Sequence, residues 1–200
     1  VLLSGVGGVE RGKILILGGG TAGENAASIG VGLGAEVTIF DKSLARLDYL
    51  ADKFGSNLNY VYPTNKAYEE HLSNADIVIG SVLIPGASAP KLVSRKMIGN
   101  MRGGAVIADI AIDQGGCLET SKPTSHDEPT YIVDDVIHYC VANIPSAVPL
   151  TSTKALSNSI SPYVEILAKT ANPNDLVSKQ HPLNSGVNIY NGEVCLNNLQ

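Results

Sequence analysis

The stretch Lys13-Ile14-Leu15-Ile16-Leu17-Gly18-Gly19-Gly20-Thr21-Ala22-Gly23 decides the fold of this chain. Its apolar half contains two β-branched residues and is typical of a strand that is buried on both faces, as in a parallel sheet. Its second half is a glycine turn. Small residues follow, with apolar side chains at helical spacing, and predict a helix over residues 21–34. The stretch therefore predicts a strand–turn–helix unit.

The glycine spacing in the turn matches the fingerprint of dinucleotide-binding proteins. Gly18 permits the tight turn, Gly20 lets backbone N–H groups approach a pyrophosphate, and Gly23 lets the helix pack closely on the strand. Thr21 and Ala22 open the helix, where unpaired N–H groups and a partial positive charge favour an anion. These five residues are the first predicted cofactor contacts.

An acidic residue follows the second predicted strand, as the same fingerprint requires. The Asp41 carboxylate can accept hydrogen bonds from both hydroxyls of an adenosine ribose and would repel a 2′-phosphate, which predicts NAD rather than NADP. Lys42 and Arg46 lie close by in sequence and could weaken that preference. The alternative interpretation is that Asp41 only caps the helix that begins near Ser43.

Strands and helices alternate along the rest of the first 145 residues. The sequence predicts strands at 36–40, 59–62, 76–83, 105–112, 131–133 and 137–141, and helices at 44–54, 66–74 and 92–101. Such alternation implies right-handed βαβ units and a doubly wound parallel sheet, an α/β Rossmann fold.

Two loops follow predicted strands, where ligands bind in doubly wound sheets. Residues 80–90 should overhang the cofactor, with Ser81 as a contact, although an ordinary turn is the alternative. Residues 109–117 carry two carboxylates, and there Ile110 and Asp113 are predicted contacts. Asp113 could orient a substrate ammonium or a reacting water, or could only hydrogen-bond its own loop. Cys117 is interpreted as a small buried residue.

The histidines have ordinary interpretations. His138 alternates with apolar neighbours and is predicted to be a core or interface residue, whereas His126 lies in a polar loop. The histidines and cysteines show no spacing typical of metal ligands. Asn143 ends a predicted strand, and the sequence leaves open whether its amide faces the nicotinamide half of a cofactor.

Composition excludes several classes of protein. The 200 residues are 44% hydrophobic and 16% charged with a net charge of −5, so a disordered chain and a nucleic-acid partner are disfavoured. Every long apolar run is interrupted, which argues against a membrane span. Three cysteines do not make a disulfide framework and favour a reducing, cytoplasmic compartment.

The composition changes near residue 145. Pro145 and Pro149 precede a cluster of Ser and Thr, a predicted helix at about 153–171 and an Asn-rich tail. We therefore predict two regions, a dinucleotide-binding domain at 1–145 and a C-terminal helical segment at 146–200.

Together these segments resemble the alanine dehydrogenase family, whose members interconvert L-alanine with pyruvate and ammonia using NAD. The resemblance is carried by residues 1–6, 18–23, 82–86, 89–93, 109–117, 138–143, 151–153 and 162–164. The run Asp113-Gln114-Gly115-Gly116-Cys117 is its most specific part, since related transhydrogenase subunits usually differ there.

The resemblance implies roles for particular residues. Asp41 and Arg46 correspond to contacts with the adenosine ribose, and Val82 and Leu83 to the wall beside the nicotinamide. Asp113 corresponds to the active-site aspartate near the substrate. Asn143 corresponds to a contact with the nicotinamide half. One departure is Pro63, because relatives often have a serine near the adenine at this point.

Family members are commonly hexamers, and their substrate lobe precedes the cofactor domain. We therefore expect this chain to be an NAD-binding half whose segment 146–200 would complete that lobe. Alone it should bind NAD(H) and turn over alanine poorly. The alternatives are a transhydrogenase-like NAD-binding subunit and a catalytically silent NAD-binding module.

Overall fold

The computed structural model describes residues 1–84, 88–178, 181 and 183–195. The chain divides into two compact units, Val1–Asn143 and Ile144–Gln200. The sequence placed this division between residues 145 and 146. The first unit contains the large sheet and the glycine turn, and the second contains a long helix and a small hairpin.

The first unit alternates strands and helices. Its strands are β1 (Lys13–Leu17), β2 (Glu36–Phe40), β3 (Asn59–Val61), β4 (Ile77–Gly80), β5 (Val106–Asp109), β6 (Thr130–Val133) and β7 (Val136–Tyr139). Its helices are α1 (Thr21–Gly32), α2 (Leu44–Phe54), α3 (Asn65–Asn74) and the single turn α4 (Arg95–Ile98). Short 3₁₀ turns cover Gly55–Asn57 and Ile110–Gln114.

The strands form one sheet in the order β3-β2-β1-β4-β5-β7-β6. All neighbours are parallel except β6, which pairs antiparallel with β7. The chain order reverses beside β1, so β2 and β4 flank it on opposite sides. The predicted doubly wound α/β fold is confirmed. In folds of this kind ligands bind at such a reversal, which here lies beyond the carboxyl end of β1.

Strand β1 is buried on both faces, as its unbroken apolar run predicts. Leu15 and Leu17 pack into one hydrophobic cluster, whereas Ile14 and Ile16 pack into the other. None of the four is more than 5% exposed. The two clusters fill the two faces of the sheet, because successive side chains of a strand point to opposite sides.

Strands β3, β4, β5 and β7 end earlier than the sequence predicted, and the difference is largest in β4 and β5. The ladder between β4 and β5 closes at the pair Gly80 and Asp109, so the strands predicted at 76–83 and 105–112 are too long. The Asp109 carboxylate then accepts the N–H of Ala111 at 3.1 Å and starts the 3₁₀ turn Ile110–Gln114. The buried Asp109 side chain thus stabilises a turn where the apolar residues 110–112 favour a continued strand.

The helix predicted at 92–101 is wrong in its first part. Leu92 donates its N–H to the carbonyl of Cys117 at 2.7 Å, and Val93 forms a parallel bridge with Leu118. This pairing holds the chain extended up to Ser94, whose hydroxyl caps the short helix α4.

The second unit begins with a 3₁₀ turn over Ile144–Ala147, and its long helix α5 (Pro149–Lys169) starts before the predicted residue 153. Proline fits this first position because its missing N–H has no acceptor there in any helix. Two short strands, β8 (Ile189–Tyr190) and β9 (Glu193–Val194), form a hairpin. Within the residues that the structure describes, no helix combines the length and apolar character needed to cross a bilayer.

His138 on β7 is a buried core residue, as predicted. Its Nδ1 lies 3.0 Å from the carbonyl oxygen of Val136 and its Nε2 lies 2.7 Å from the hydroxyl of Thr120. Because a carbonyl can only accept, Nδ1 carries the proton and Nε2 accepts from Thr120 in the neutral ring. The ring also stacks on Tyr131 with centroids 5.0 Å apart, and burial lowers its pKa.

The lowered pKa of His138 makes folding stability depend on pH. The unfolded ring binds a proton near pH 6.5, whereas the folded ring resists protonation until lower pH. The contribution of the neutral His138 ring to stability is therefore complete above the unfolded pKa of about 6.5, and it is lost as pH falls through the lower folded pKa. We expect urea denaturation to show a lower free energy of unfolding at about pH 5.5 than at about pH 7.5. The variant His138→Gln should show a smaller difference; an equal difference would contradict the assignment.

Candidate functional site

A cavity of about 790 Å³ opens at the carboxyl ends of β1, β2 and β4. Nine of the predicted cofactor contacts line it: Gly18, Gly20, Thr21, Ala22, Asp41, Lys42, Ser81, Val82 and Leu83. Its wall also includes six residues that were not predicted as contacts, namely Phe40, Pro63, Tyr68, Ile84, Pro90 and Leu92. The glycine turn, the end of β2 and the loop after β4 thus share one concave surface.

The glycine turn is shaped by close backbone approaches. A Cβ at Gly23 would lie 1.9 Å from the Gly18 carbonyl oxygen, so only glycine permits the packing of α1 against the turn. Gly18 has a φ of +103°, which side chains rarely adopt. The Ser81 hydroxyl lies 3.0 and 2.9 Å from the carbonyl oxygens of Leu17 and Gly18 and secures the turn from β4.

The N-terminus of α1 is left open for an anion. Ser43 and Thr64 cap α2 and α3, each with a hydroxyl that accepts a first-turn N–H. The cap of α1 is Gly20, which has no side chain, and the first-turn N–H groups of a helix have no acceptor within it. A Cβ at Gly20 would meet no atom within 4 Å. This bare, uncapped turn fits a pyrophosphate bound on backbone N–H groups.

Asp41 joins the end of β2 to the glycine turn. One carboxylate oxygen accepts the N–H of Gly19 and the other accepts the N–H of Ser43, both at 2.8 Å. The cap of α2 is Ser43 itself, whose hydroxyl accepts the N–H of Arg46. Asp41 is therefore not the cap of α2, and its carboxylate is held at the wall of the cavity.

Arg46 lies beside the glycine turn and is not among the residues that line the described cavity. Its Nε donates to the Gly19 carbonyl oxygen at 2.5 Å, and its Nη2 forms an ion pair with Glu24 in the first turn of α1. Glu24 also pairs with Lys53 Nζ at 2.5 Å. Hydrogen bonds from Lys53 and Arg46 lower the pKa of the Glu24 carboxyl. Sequence reasoning missed Glu24, because acidic residues are common in the first turn of a helix and its two cationic partners come from α2.

The two carboxylates at the end of β5 and in the turn after it have opposite surroundings. Asp109 is fully buried and accepts the N–H of Cys117 at 2.8 Å and the hydroxyl of Ser121 at 2.6 Å. Asp113 is exposed, and its Oδ1 accepts the N–H of Asn143 at 3.2 Å. Asp109 therefore stabilises the conformation of the loop, whereas the exposed Asp113 carboxylate is accessible to a ligand.

Five predicted contacts lie outside the described cavity wall. Asp113 and Asn143 are brought together by their hydrogen bond, and Asn143 adopts a left-handed backbone with φ of +54°. Ile110 is 37% exposed in the same loop. Gly23 is buried under the turn and Arg46 is turned toward Glu24.

The loop predicted to overhang the cofactor is only partly described. Pro85, Gly86 and Ala87 lie outside the described residues. Beyond them, Ala89 donates its N–H to the Gln114 carbonyl at 2.9 Å, and Lys91 Nζ contacts the Gly115 carbonyl at 2.6 Å. The return of this loop is thus fixed to the segment that carries Asp113.

Cys117 is a core residue and not a nucleophile. Its side chain is fully buried, and burial raises the pKa of its thiol, so the thiol stays neutral. The neutral thiol is the unreactive form of cysteine. Among the described residues, no group of three His, Cys, Asp or Glu side chains is placed to hold a metal ion.

Comparison with known proteins agrees with this architecture. The family described as "Alanine dehydrogenase/PNT, C-terminal domain" matches residues 1–197. The chain belongs to this family. The C-terminal domain of this family is the NAD-binding domain, and the family uses NAD.

Several relatives are close to the chain. This chain is 50% identical to an alanine dehydrogenase of Halomonas elongata and 51% identical to alanine dehydrogenase 2 of Staphylococcus aureus. Each match covers 97% of this chain. A solved L-alanine dehydrogenase superposes with a TM-score of 0.87 at 47% identity, covering 97% of this chain and 53% of that one. A transhydrogenase from Sinorhizobium meliloti gives a TM-score of 0.71 at 27% identity, covering 80% and 46%.

The chain spans about half the length of the curated relatives that it matches, 52% of each. The family domain and its fold are therefore present in this chain.

The glycine turn predicts different effects for two substitutions to alanine. Gly23→Ala places a methyl group against the Gly18 carbonyl and should lower the free energy of unfolding by about 1–3 kcal/mol through overpacking. Gly20→Ala meets open space and should stay within about 1 kcal/mol of the parent, while its methyl group obstructs the cavity. Urea denaturation measures both values. Equal destabilisation of the two variants would show that the close approach at Gly23 is unimportant.

Proposed function

We propose that this chain is the NAD(H)-binding part of an alanine dehydrogenase, which reversibly converts L-alanine to pyruvate and ammonia. The observation that carries the proposal is the identity of about half of all residues to proteins named alanine dehydrogenase over 97% of the chain. The transhydrogenase alternative has weaker support, because its solved relative is only 27% identical.

The residues of the cavity fit a dinucleotide. The first-turn N–H groups of α1, from Thr21 to Gly23, are free within the helix and would bind the pyrophosphate. Asp41 would accept the adenosine-ribose hydroxyls at the end of β2. Val82 and Leu83 give the cavity an apolar wall after β4, suited to the nicotinamide half.

The same arrangement favours NAD over NADP. A 2′-phosphate would meet the carboxylate of Asp41 at the cavity wall, and two unit charges about 4 Å apart repel by about 4 kcal/mol at an effective dielectric of 20. Lys42, which also lines the cavity and is exposed, would offset part of that repulsion.

Asp113 is the residue that we place at the reacting substrate. The nicotinamide, when bound, supplies a hydride acceptor for the alanine Cα and a hydride donor in the reverse direction. The exposed Asp113 carboxylate would orient the substrate amine or the water that hydrolyses the imine. The N–H of Asn143 holds Oδ1 of this carboxylate, and the Asn143 amide would contact the nicotinamide half.

The remaining parts of the proposal concern the whole enzyme. Residues 146–200 would complete a substrate lobe whose other part lies in the additional length of the relatives. Proton transfer would belong to that lobe, so this chain alone should bind NAD(H) and turn over alanine poorly. We propose a cytoplasmic homo-oligomer, in keeping with the hexamers common in the family.

Titration of the chain with NADH, with NADPH in parallel, tests the proposal. Cofactor fluorescence reports binding directly, and the chain contains no tryptophan to contribute background. We expect NADH to bind about tenfold or more tightly than NADPH, because Asp41 repels the 2′-phosphate and Lys42 offsets only part of that repulsion. Failure to bind NADH, or preference for NADPH, would contradict the proposed cofactor site.

Substitution of Asp113 tests its role in the complete enzyme that contains this chain. Asp113→Asn keeps the size and the acceptor for the Asn143 N–H but removes the charge, so alanine-dependent NADH formation should fall at least about 100-fold. The NADH dissociation constant should change by less than about threefold. Asp127→Asn, at an exposed loop position, is the control for the loss of one negative charge. Unchanged turnover in Asp113→Asn would exclude the role.

A further inference from the structure

The extended segment 88–93 contacts both the cofactor cavity and the turn that carries Asp113. Pro90 and Leu92 line the described cavity. The N–H of Leu92 also donates to the carbonyl of Cys117, the residue that follows the turn, at 2.7 Å. The position of the turn relative to the cavity is therefore set through this segment.

Lys91 is the side chain of the segment that binds the turn. Its Nζ donates to the carbonyl oxygen of Gly115 at 2.6 Å and to that of Gly116 at 2.9 Å. These two carbonyls directly follow the 3₁₀ turn Ile110–Gln114, and the end of a helical turn carries partial negative charge. A lysine ammonium has three N–H donors, so it can bind two such acceptors at once.

The two glycines differ in how closely the protein encloses them. Both have a left-handed backbone, with φ of +92° and +75°, a region that glycine enters most readily. A Cβ at Gly116 would lie 2.6 Å from Oδ2 of the buried Asp109, whereas a Cβ at Gly115 would meet no atom within 4 Å. The hydrogen bond from Lys91 therefore restrains Gly115 where close packing does not.

Gly115 lies two residues after Asp113. The N–H of Asn143 binds Oδ1 of the Asp113 carboxylate at 3.2 Å, and the backbone of the turn determines where the rest of the residue lies. A movement of the Gly115 backbone would therefore shift the carboxylate relative to the cavity. A displacement of about 1 Å at a reacting group can lower a rate by about 100-fold.

We propose that Lys91 is a positioning residue for the alanine dehydrogenase reaction, because it holds the turn that carries Asp113 in a fixed place relative to the cofactor cavity. Lys91 is not among the residues that line the described cavity, so it acts through Asp113. The inference rests on the proposed function and deepens it, since it identifies what fixes the substrate-orienting carboxylate.

Substitution of Lys91 in the complete enzyme that contains this chain tests the proposal. Lys91→Met keeps an unbranched side chain but removes the ammonium, so kcat for alanine oxidation should fall by about tenfold. The KM for alanine and the NADH dissociation constant should change by less than about threefold. Lys91→Arg should keep kcat within about threefold of the parent, because a guanidinium can also donate to two carbonyl oxygens.

Two further variants show whether Lys91 acts through Asp113. Lys96→Met removes the same charge from an exposed position on α4 and should leave kcat unchanged. In the Asp113→Asn background, Lys91→Met should lower kcat by less than about twofold, because there is no carboxylate left to position. The proposal is overturned by an unchanged kcat in Lys91→Met, by an equal loss in Lys91→Arg or Lys96→Met, or by the full tenfold loss in the Asp113→Asn background.

Amide hydrogen exchange of the 200-residue chain provides a readout that needs no substrate. The N–H groups of Gly115 and Gly116 donate to carbonyls within the turn. Lys91→Met should accelerate their exchange by about tenfold, while the Cys117 amide, which donates to Asp109, changes by less than about threefold. Unchanged exchange at both glycines would contradict the proposed restraint.

The parent enzyme separates this inference from the proposed function. A parent that oxidises alanine, together with an unaffected Lys91→Met variant, would leave the proposed function intact and refute only the role of Lys91. A complete enzyme that binds NADH but does not oxidise alanine would refute the proposed function, and the role of Lys91 would fall with it.

Discussion

The close approach of α1 to the end of β1 is the constraint on which the site depends. The carbonyl of Gly18 occupies the space that a Cβ of Gly23 would need, 1.9 Å away, so helix and turn can meet only through glycine. That contact aims the open N-terminus of α1 at the cavity. Ser81 then ties the same turn to the neighbouring strand through the carbonyl oxygens of Leu17 and Gly18. The geometry of the glycine turn is therefore set by contacts within the protein.

Charged side chains lie in two places around this turn. At the end of β2, the Asp41 carboxylate accepts hydrogen bonds from the backbone N–H groups of Gly19 and Ser43. Behind the turn, Glu24 gathers Arg46 and Lys53 into one partly shielded cluster. The ion pairs add little to stability on their own, since pairs near the surface are weak. Their effect is on position, because they decide where a guanidinium points.

Burial separates residues that look alike in sequence. Asp109 ends β5 and Asp113 lies in the turn that follows, but Asp109 is buried and accepts several hydrogen bonds whereas Asp113 is exposed beside Asn143. The same distinction applies to Cys117, which is enclosed next to Asp109 and has a raised thiol pKa. A buried polar group must satisfy its hydrogen bonds within the protein, so Asp109 shapes the loop, whereas the exposed Asp113 carboxylate remains accessible to solvent.

The sequence by itself determined the doubly wound sheet, the glycine turn and the acid at the end of β2, because period, spacing and glycine chemistry are local properties. The tertiary structure decided where β5 stops, since Asp109 turns the chain through contacts with Cys117 and Ser121. It also decided that Arg46 faces Glu24, a residue far from it along the chain but adjacent across the turn. The direction of a side chain depends on contacts with residues distant in sequence, and local sequence patterns do not predict these contacts.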